Sequence, residues 1–305
     1  MSFSELFDTF ANNILPILLI SAAGFGVGRA FQIDSRAFGR SLFYFFTPVL
    51  VFHLLMTNRL PAVEVLRIGG LAAGVILASG LIALLGGLAL RLERTTLVSV
   101  LLIAMFANNG NYGLPLIAFA FGPEALAHSG IYFVFASLLT NTLGVLIASL
   151  GHLDLREALL GLFKVPTIYA ALLAVLVHES GLQLPMPLER TVSLAASATL
   201  PVMIFLLGLE LRHIRWTNSR RALGLGVSVR LLAGPLLGFA FAALFGLSGS
   251  ARQAAVMEAS MSSAVANVNL AAEYRLDTSL VAATVLVSTL LSPLTLTPLI
   301  LLLGK

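Results

Sequence analysis

Runs of apolar residues alternate along this chain with short polar clusters. Ten runs cover about 11–30, 37–57, 66–90, 96–120, 127–149, 158–178, 191–209, 221–245, 252–272 and 279–302. A helix needs ~20 apolar residues to cross ~30 Å of hydrocarbon, and the runs have about that length. Strands of a membrane barrel are only ~10 residues long and alternate in polarity, which these runs do not. The pattern predicts an all-α polytopic membrane protein of ten transmembrane helices. The connections are too short for a separate soluble domain.

Composition supports this reading. Hydrophobic residues make up 58% of the 305 and charged residues 10%, against about 25% charge in a soluble domain. Lipid is the partner that such a surface suits. The absence of cysteine excludes disulfides and thiolate metal sites. The net charge of +4 comes from short loops rather than a basic tail, so it argues for membrane orientation and against nucleic-acid binding. The first ten residues contain Glu5 and Asp8 but no Lys or Arg, so no cleavable signal peptide is expected.

Lysines and arginines are distributed unevenly between alternate loops once Arg230, inside the eighth run, is set aside. One side holds twelve: Arg29, Arg36, Arg40, Arg91, Arg94, Arg156, Lys164, Arg212, Arg215, Arg220, Arg221 and Arg275. The other holds five: Arg59, Arg67, Arg190, Arg252 and Lys305. The richer side is expected to be cytoplasmic. This predicts a multi-pass protein of the cell inner membrane with both termini extracytoplasmic.

The two halves, 1–150 and 151–305, carry parallel features in the same order. Pro16 and Pro48 of the first half correspond to Pro166 and Pro201 of the second. "MFANNGNYGLPL" from Met105 corresponds to "MEASMSSAVANV" from Met257, an offset of 152 residues. Five runs per half is an odd number, so the second half enters the membrane from the opposite side. The expectation is two inverted five-helix repeats, a transporter layout.

The fourth run contains Ala107-Asn108-Asn109-Gly110-Asn111-Tyr112-Gly113-Leu114-Pro115 at its middle. Pro115 lacks an amide hydrogen, and Gly110 and Gly113 permit unusual dihedrals or close approach. Backbone groups released in hydrocarbon need protein, water or a ligand. A helix broken at mid-membrane meets that need, with an N-terminus for an anion and free carbonyls for a cation. The competing reading is a kinked structural helix whose asparagines pair with neighbours.

The ninth run contains Glu258, a carboxylate too deep to stand unpaired. Spacings of four and five residues put Ser262 and Ser263 on adjacent parts of one helical face with it, and Asn267 and Asn269 follow. Glu258 is a candidate H⁺ or Na⁺ coupling site, with a structural hydrogen-bond acceptor as the alternative. Arg230 could contact substrate, pair with Glu258 or snorkel to an interface. Ser137 with Thr140 and Asn141, and Ser288 with Thr289 and Ser292, form polar stripes on the runs that follow the broken ones. They could complete a site or serve helix packing. "GFGVGRA" from Gly24 reads as helix packing. No Walker sequence, dinucleotide fingerprint or metalloprotease motif occurs, so neither an enzyme, a bound cofactor nor an ATP-driven pump is expected.

"FANNGNYGLPL" at 106–116 and "MEASMSSAVANVNLAAEYRLDTSLVAATVLVSTLLSP" at 257–293 resemble the auxin efflux carrier family, bacterial branch. Helix number and spacing agree along essentially the whole chain. The family is similar in fold to bile acid–sodium symporters, which implies broken helices four and nine crossing at mid-membrane. It also implies a scaffold and homodimer part from about 11–57 and 158–209, and a transport part from about 66–149 and 221–302. By resemblance, Asn108, Asn109, Gly110, Asn111, Tyr112 and Pro115 carry the first crossover, and the family's frequent Met-Pro at the second break is here Met261-Ser262. Glu258 resembles the carboxylate that helps hold Na⁺ in sodium-coupled relatives. Members associated with malate, malonate and other carboxylates imply a small organic anion as substrate.

These readings combine into an expected secondary transporter working by alternating access with H⁺ or Na⁺ coupling. Substrate would meet Asn108, Asn109, Gly110, Asn111, Tyr112, Pro115, Arg230, Ser263 and Asn267. The cation would meet Glu258, Ser262, Ser137 and Asn141. A cation–proton exchanger and a non-transporting membrane receptor remain alternatives.

Overall fold

The computed structural model describes residues 2–58, 60–149, 163, 165–212 and 216–304. Five of the basic residues used for orientation, Arg59, Arg156, Lys164, Arg215 and Lys305, lie outside the described residues, as does the start of the sixth run at 158–162.

The protein is a polytopic helical membrane protein. The described helices are α1 (Phe3–Phe31), α2 (Ser35–Thr57), α3 (Ala62–Ala89), α4 (Arg94–Met105), α5 (Asn109–Ala148), α6 (Pro166–Glu179), α7 (Met186–Leu211), α8 (Arg220–Leu244), α9 (Gly249–Ala259), α10 (Ala266–Glu273) and α11 (Thr278–Leu303). Seven of these, α1, α2, α3, α5, α7, α8 and α11, are long and apolar enough to cross a bilayer unaided. The helix α5 bends at Gly122, whose φ of 81° precedes Pro123. Its first part completes the fourth run begun by α4, and its second part is the fifth run. The ninth run is divided between α9 and α10.

Prolines explain a recurrent local departure. Wider π-helical turns cover Phe10–Ile14, Leu42–Phe46, Asn109–Gly113 and Val229–Ala233. Each ends two residues before a proline: Pro16, Pro48, Pro115 and Pro235. A proline cannot donate to the carbonyl four residues back, and a single wide turn absorbs the mismatch. A fifth such turn, Thr140–Gly144, has no proline after it, and no comparable cause is evident.

Helix α7 packs along α1, and α6 along α2. The α1–α7 contact is so close that a Cβ on Gly24 would strike the Phe205 carbonyl, and one on Gly208 the Ser21 carbonyl. The glycines of "GFGVGRA" thus serve helix packing, as small residues do between membrane helices. A second group packs α3 on α4 and α5, α9 on α5, and α8 on α9 and α3. The larger buried cluster centres on this group, with Leu71, Val75, Leu102, Tyr132, Val256 and Leu280 among its members. A smaller cluster joins α2 and α7 to α5 through Leu50, Leu54, Leu114, Met203 and Leu206.

Candidate functional site: a crossover of two broken helices

The breaks at 106–108 and 260–265 lie against each other. Ala107 and Ser263 form an isolated antiparallel bridge. The Asn108 N–H donates to the Ser262 carbonyl at 2.8 Å, and the Ala264 N–H donates to the Phe106 carbonyl at 3.1 Å. Backbone freed by one break is thus satisfied by the other, as a water-poor interior requires. The second break needs no proline. Cross-pairing of Ser262 and Ala264, rather than a missing amide, holds it open.

Two asparagines repeat this exchange with side chains. Asn109, at the start of α5, donates from Nδ2 to the Glu258 carbonyl of α9 at 3.0 Å. Asn267, near the start of α10, donates from Nδ2 to the Leu102 and Phe106 carbonyls at the end of α4, at 3.2 and 2.9 Å. Each half therefore caps a helix end of the other. Hydroxyls of α11 brace the crossing: Thr289 Oγ1 pairs with Ser262 Oγ at 3.1 Å, Ser288 Oγ accepts from the Ser263 N–H at 3.2 Å, and Ser292 Oγ pairs with Tyr112 Oη at 3.1 Å.

Glu258 is fully buried at the last turn of α9. Asn109 Nδ2 donates to its Oε2 at 2.6 Å, and the Ser129 hydroxyl donates to Oε1 in a very short contact. A Cβ on Gly113 would collide with Oε2, so glycine there makes space for the carboxylate. Among the described residues no basic side chain pairs with Glu258.

Arg230 is also buried, in the π-turn of α8, 1% exposed. Nε and Nη2 both donate to the Met261 carbonyl, at 3.1 and 2.9 Å. Nη2 also donates to the Ala259 carbonyl at 2.9 Å, and Nη1 to the Ala104 carbonyl at 2.9 Å. The guanidinium thus joins the C-terminal ends of α4 and α9. This corrects two sequence readings of Arg230: it neither reaches an interface nor pairs with Glu258, and four N–H bonds of its guanidinium go to carbonyls.

Other expectations are redistributed. Ser262 and Ser263 do not share a helical face with Glu258, because the helix ends at Ala259 and both lie in the break. Ser137 and Asn141 are not brought to Glu258. They sit eight and twelve residues past Ser129 on the same helix, about 12 and 18 Å along its axis at ~1.5 Å per residue. Asn141 Nδ2 instead donates to the Ser137 carbonyl at 2.8 Å. Tyr112 is wholly buried with its hydroxyl on Ser292. Pro115 is buried in the first turn after the π segment, and Gly110, half-buried, faces Phe133. Asn111 Nδ2 reaches Glu210 Oε2 of α7 at 3.4 Å, a long contact between the two helix groups.

Two participants are missed by sequence reasoning. Ser129 is a lone serine in an apolar stretch and looks like any packing residue. Glu210 falls one position beyond the end of the seventh run at 209, although a carboxylate beside an apolar run is a usable signal.

Three buried side-chain polar atoms lack a hydrogen-bond partner among the described residues, and two of them, Asn108 Nδ2 and Asn267 Oδ1, are at the crossover. A polar cavity of about 530 Å³ lies between the α2–α3 connection, the α8–α9 connection and Phe121 and Glu124 of α5. Glu64, Glu124, His128, Ser250 and Gln253 line it. His128 Nε2 lies 3.4 Å from Glu64 Oε1, and Ser250 Oγ donates to Glu124 Oε1 at 2.8 Å. His128 immediately precedes the Ser129 that holds Glu258.

Residues 152–300, which include the second break and most of α11, match a family described as membrane transport protein. The match covers just under half of the chain. The resemblance to auxin efflux carriers points to the same membrane transport family. An uncharacterized transporter of Methanocaldococcus jannaschii is 27% identical over 223 residues, 68% of this chain and 69% of that protein. An uncharacterized transporter of Methanothermobacter thermautotrophicus is 30% identical over 190 residues, 62% of each chain.

Proposed function

We propose that this protein is a secondary transporter of a small organic anion, a mono- or dicarboxylate, coupled to Na⁺ or H⁺ bound at Glu258. The observation that carries the reading is a buried carboxylate at the crossing of two broken helices, held by Asn109 and Ser129 and paired with no basic side chain among the described residues. A charge so placed needs a proton or a cation. A turn of the Asn109 amide would add its oxygen to those of Glu258 and Ser129, an oxygen set suited to a hard cation. The partnerless Asn108 amide nitrogen, beside the start of α5, supports an anionic substrate oxygen. The polar cavity that ends at His128 is the route we assign to the cation.

In this reading α3–α5 and α8–α11 move against α1, α2, α6 and α7, and two copies pair through the latter group. The long Asn111–Glu210 contact crosses the sliding boundary. The termini are assigned to the extracytoplasmic side of the inner membrane.

The test is uptake of labelled malate, malonate and monocarboxylates into liposomes holding purified protein, with Na⁺ and H⁺ gradients imposed and then collapsed. Uptake that falls when one gradient is collapsed is expected. Cation movement with no carboxylate movement would replace the proposal with a cation–proton exchanger. Carboxylate binding without flux would replace it with a receptor.

A further inference from the structure

We propose that Arg230 is a resident cation: its guanidinium occupies a cation-binding position built by the C-terminal ends of α4 and α9, so the crossover takes one mobile cation rather than two. That the mobile cation sits at Glu258 rests on the functional reading above; the occupancy by Arg230 does not.

The argument begins with charge. A helix C-terminus carries about −0.5 elementary charge, concentrated on its last carbonyls. Two such ends meet at Arg230 and supply about one negative charge between them, enough to balance one guanidinium without a carboxylate. Among the described residues no carboxylate pairs with Arg230. The Ala104, Ala259 and Met261 carbonyls receive four N–H bonds between 2.9 and 3.1 Å. In transporters with discontinuous helices, free carbonyls and half-helix C-terminal ends are where a mobile cation is held.

The geometry is built for this arginine. Its π-turn precedes Pro235 and sets the side chain on the inner face of α8. The adjoining Gly234 lets α8 approach α9 so closely that a Cβ there would stand 2.6 Å from the Ala259 carbonyl oxygen. A planar guanidinium presents its donors in fixed directions and reaches carbonyls of two separate helices at once.

The test compares Arg230→Ala with Arg230→Lys, both in a Glu258→Gln background, so that any cation response is independent of Glu258. Thermal midpoints of purified protein are measured in choline chloride, in sodium chloride and with millimolar guanidinium at matched ionic strength. An upward shift of the Arg230→Ala midpoint with guanidinium or Na⁺ over choline is expected, because an occupant restored to the native state stabilises it. The Arg230→Lys protein, which keeps a charge there, is expected to show a smaller shift or none. Recovery of Arg230→Ala as a monodisperse protein only with guanidinium or Na⁺ also supports the proposal. Equal midpoints in all three salts, recovery in none, or a lysine variant that responds as strongly as alanine would overturn it. A negative uptake screen with a positive midpoint shift would sink the transport reading and leave the resident cation standing.

Discussion

Glu258 and Arg230 are buried charges at one crossing, yet they are neutralised in opposite ways. Arg230 distributes its charge over three carbonyls at two helix ends. Among the described residues Glu258 has only an amide and a hydroxyl as side-chain donors. Fixed carbonyl dipoles accept four hydrogen bonds from the arginine, whereas the carboxylate meets neutral donors only, among the described residues. Arg230 ties two helix ends together, and the proposed exchangeable ion is assigned to Glu258.

The contrast is broken most severely by Glu258→Gln. Cation-dependent uptake is expected to fall on the order of 100-fold, the loss of ~3 kcal/mol of charge-assisted binding. Initial rates with and without the imposed gradient measure it, and unchanged gradient dependence would remove Glu258 from coupling. Arg230→Met is expected to act on stability first. It leaves three buried carbonyls short of a donor, at about 1–3 kcal/mol each, so a loss of at least ~3 kcal/mol should appear in denaturant or thermal unfolding.

Smaller changes sharpen the comparison. Asn109→Ala and Ser129→Ala each remove a hydrogen bond to the carboxylate worth about 1.5–3 kcal/mol. Their expected signature is roughly 10–100-fold weaker apparent affinity for the coupling cation, with less effect on substrate saturation. Gly113→Ala should show the smallest effect, about 1–3 kcal/mol of overpacking, because its Cβ pushes the Glu258 carboxylate aside. Cation titration of uptake in that variant measures the displacement, and an unchanged titration curve would show that the site has more space than the structure gives it.

Much of this was legible in sequence. Proline and asparagine chemistry located the first break near Asn108. Resemblance put the second break at Met261-Ser262, inside the observed 260–265, whereas helical spacing alone read a continuous face and placed Ser262 and Ser263 wrongly, since local spacing cannot reveal that cross-pairing opens a helix. Ser137 and Asn141 matched the polar pattern of a site but lie turns away from it. Ser129 matched no pattern and yet touches the carboxylate. Side-chain polarity marks a residue as costly to bury without naming its partner.

By itself the sequence determined the helical membrane fold, the approximate runs and the location of the proline-linked break. These follow from apolar length against bilayer thickness and from a missing amide hydrogen, both local properties. Tertiary structure alone decided that Arg230 belongs to carbonyls at residues 104, 259 and 261 while Glu258 belongs to Asn109 and Ser129. Three of those pairings join segments more than a hundred residues apart and two join segments about thirty apart, and only helix packing against helix fixes which helix ends meet which charge.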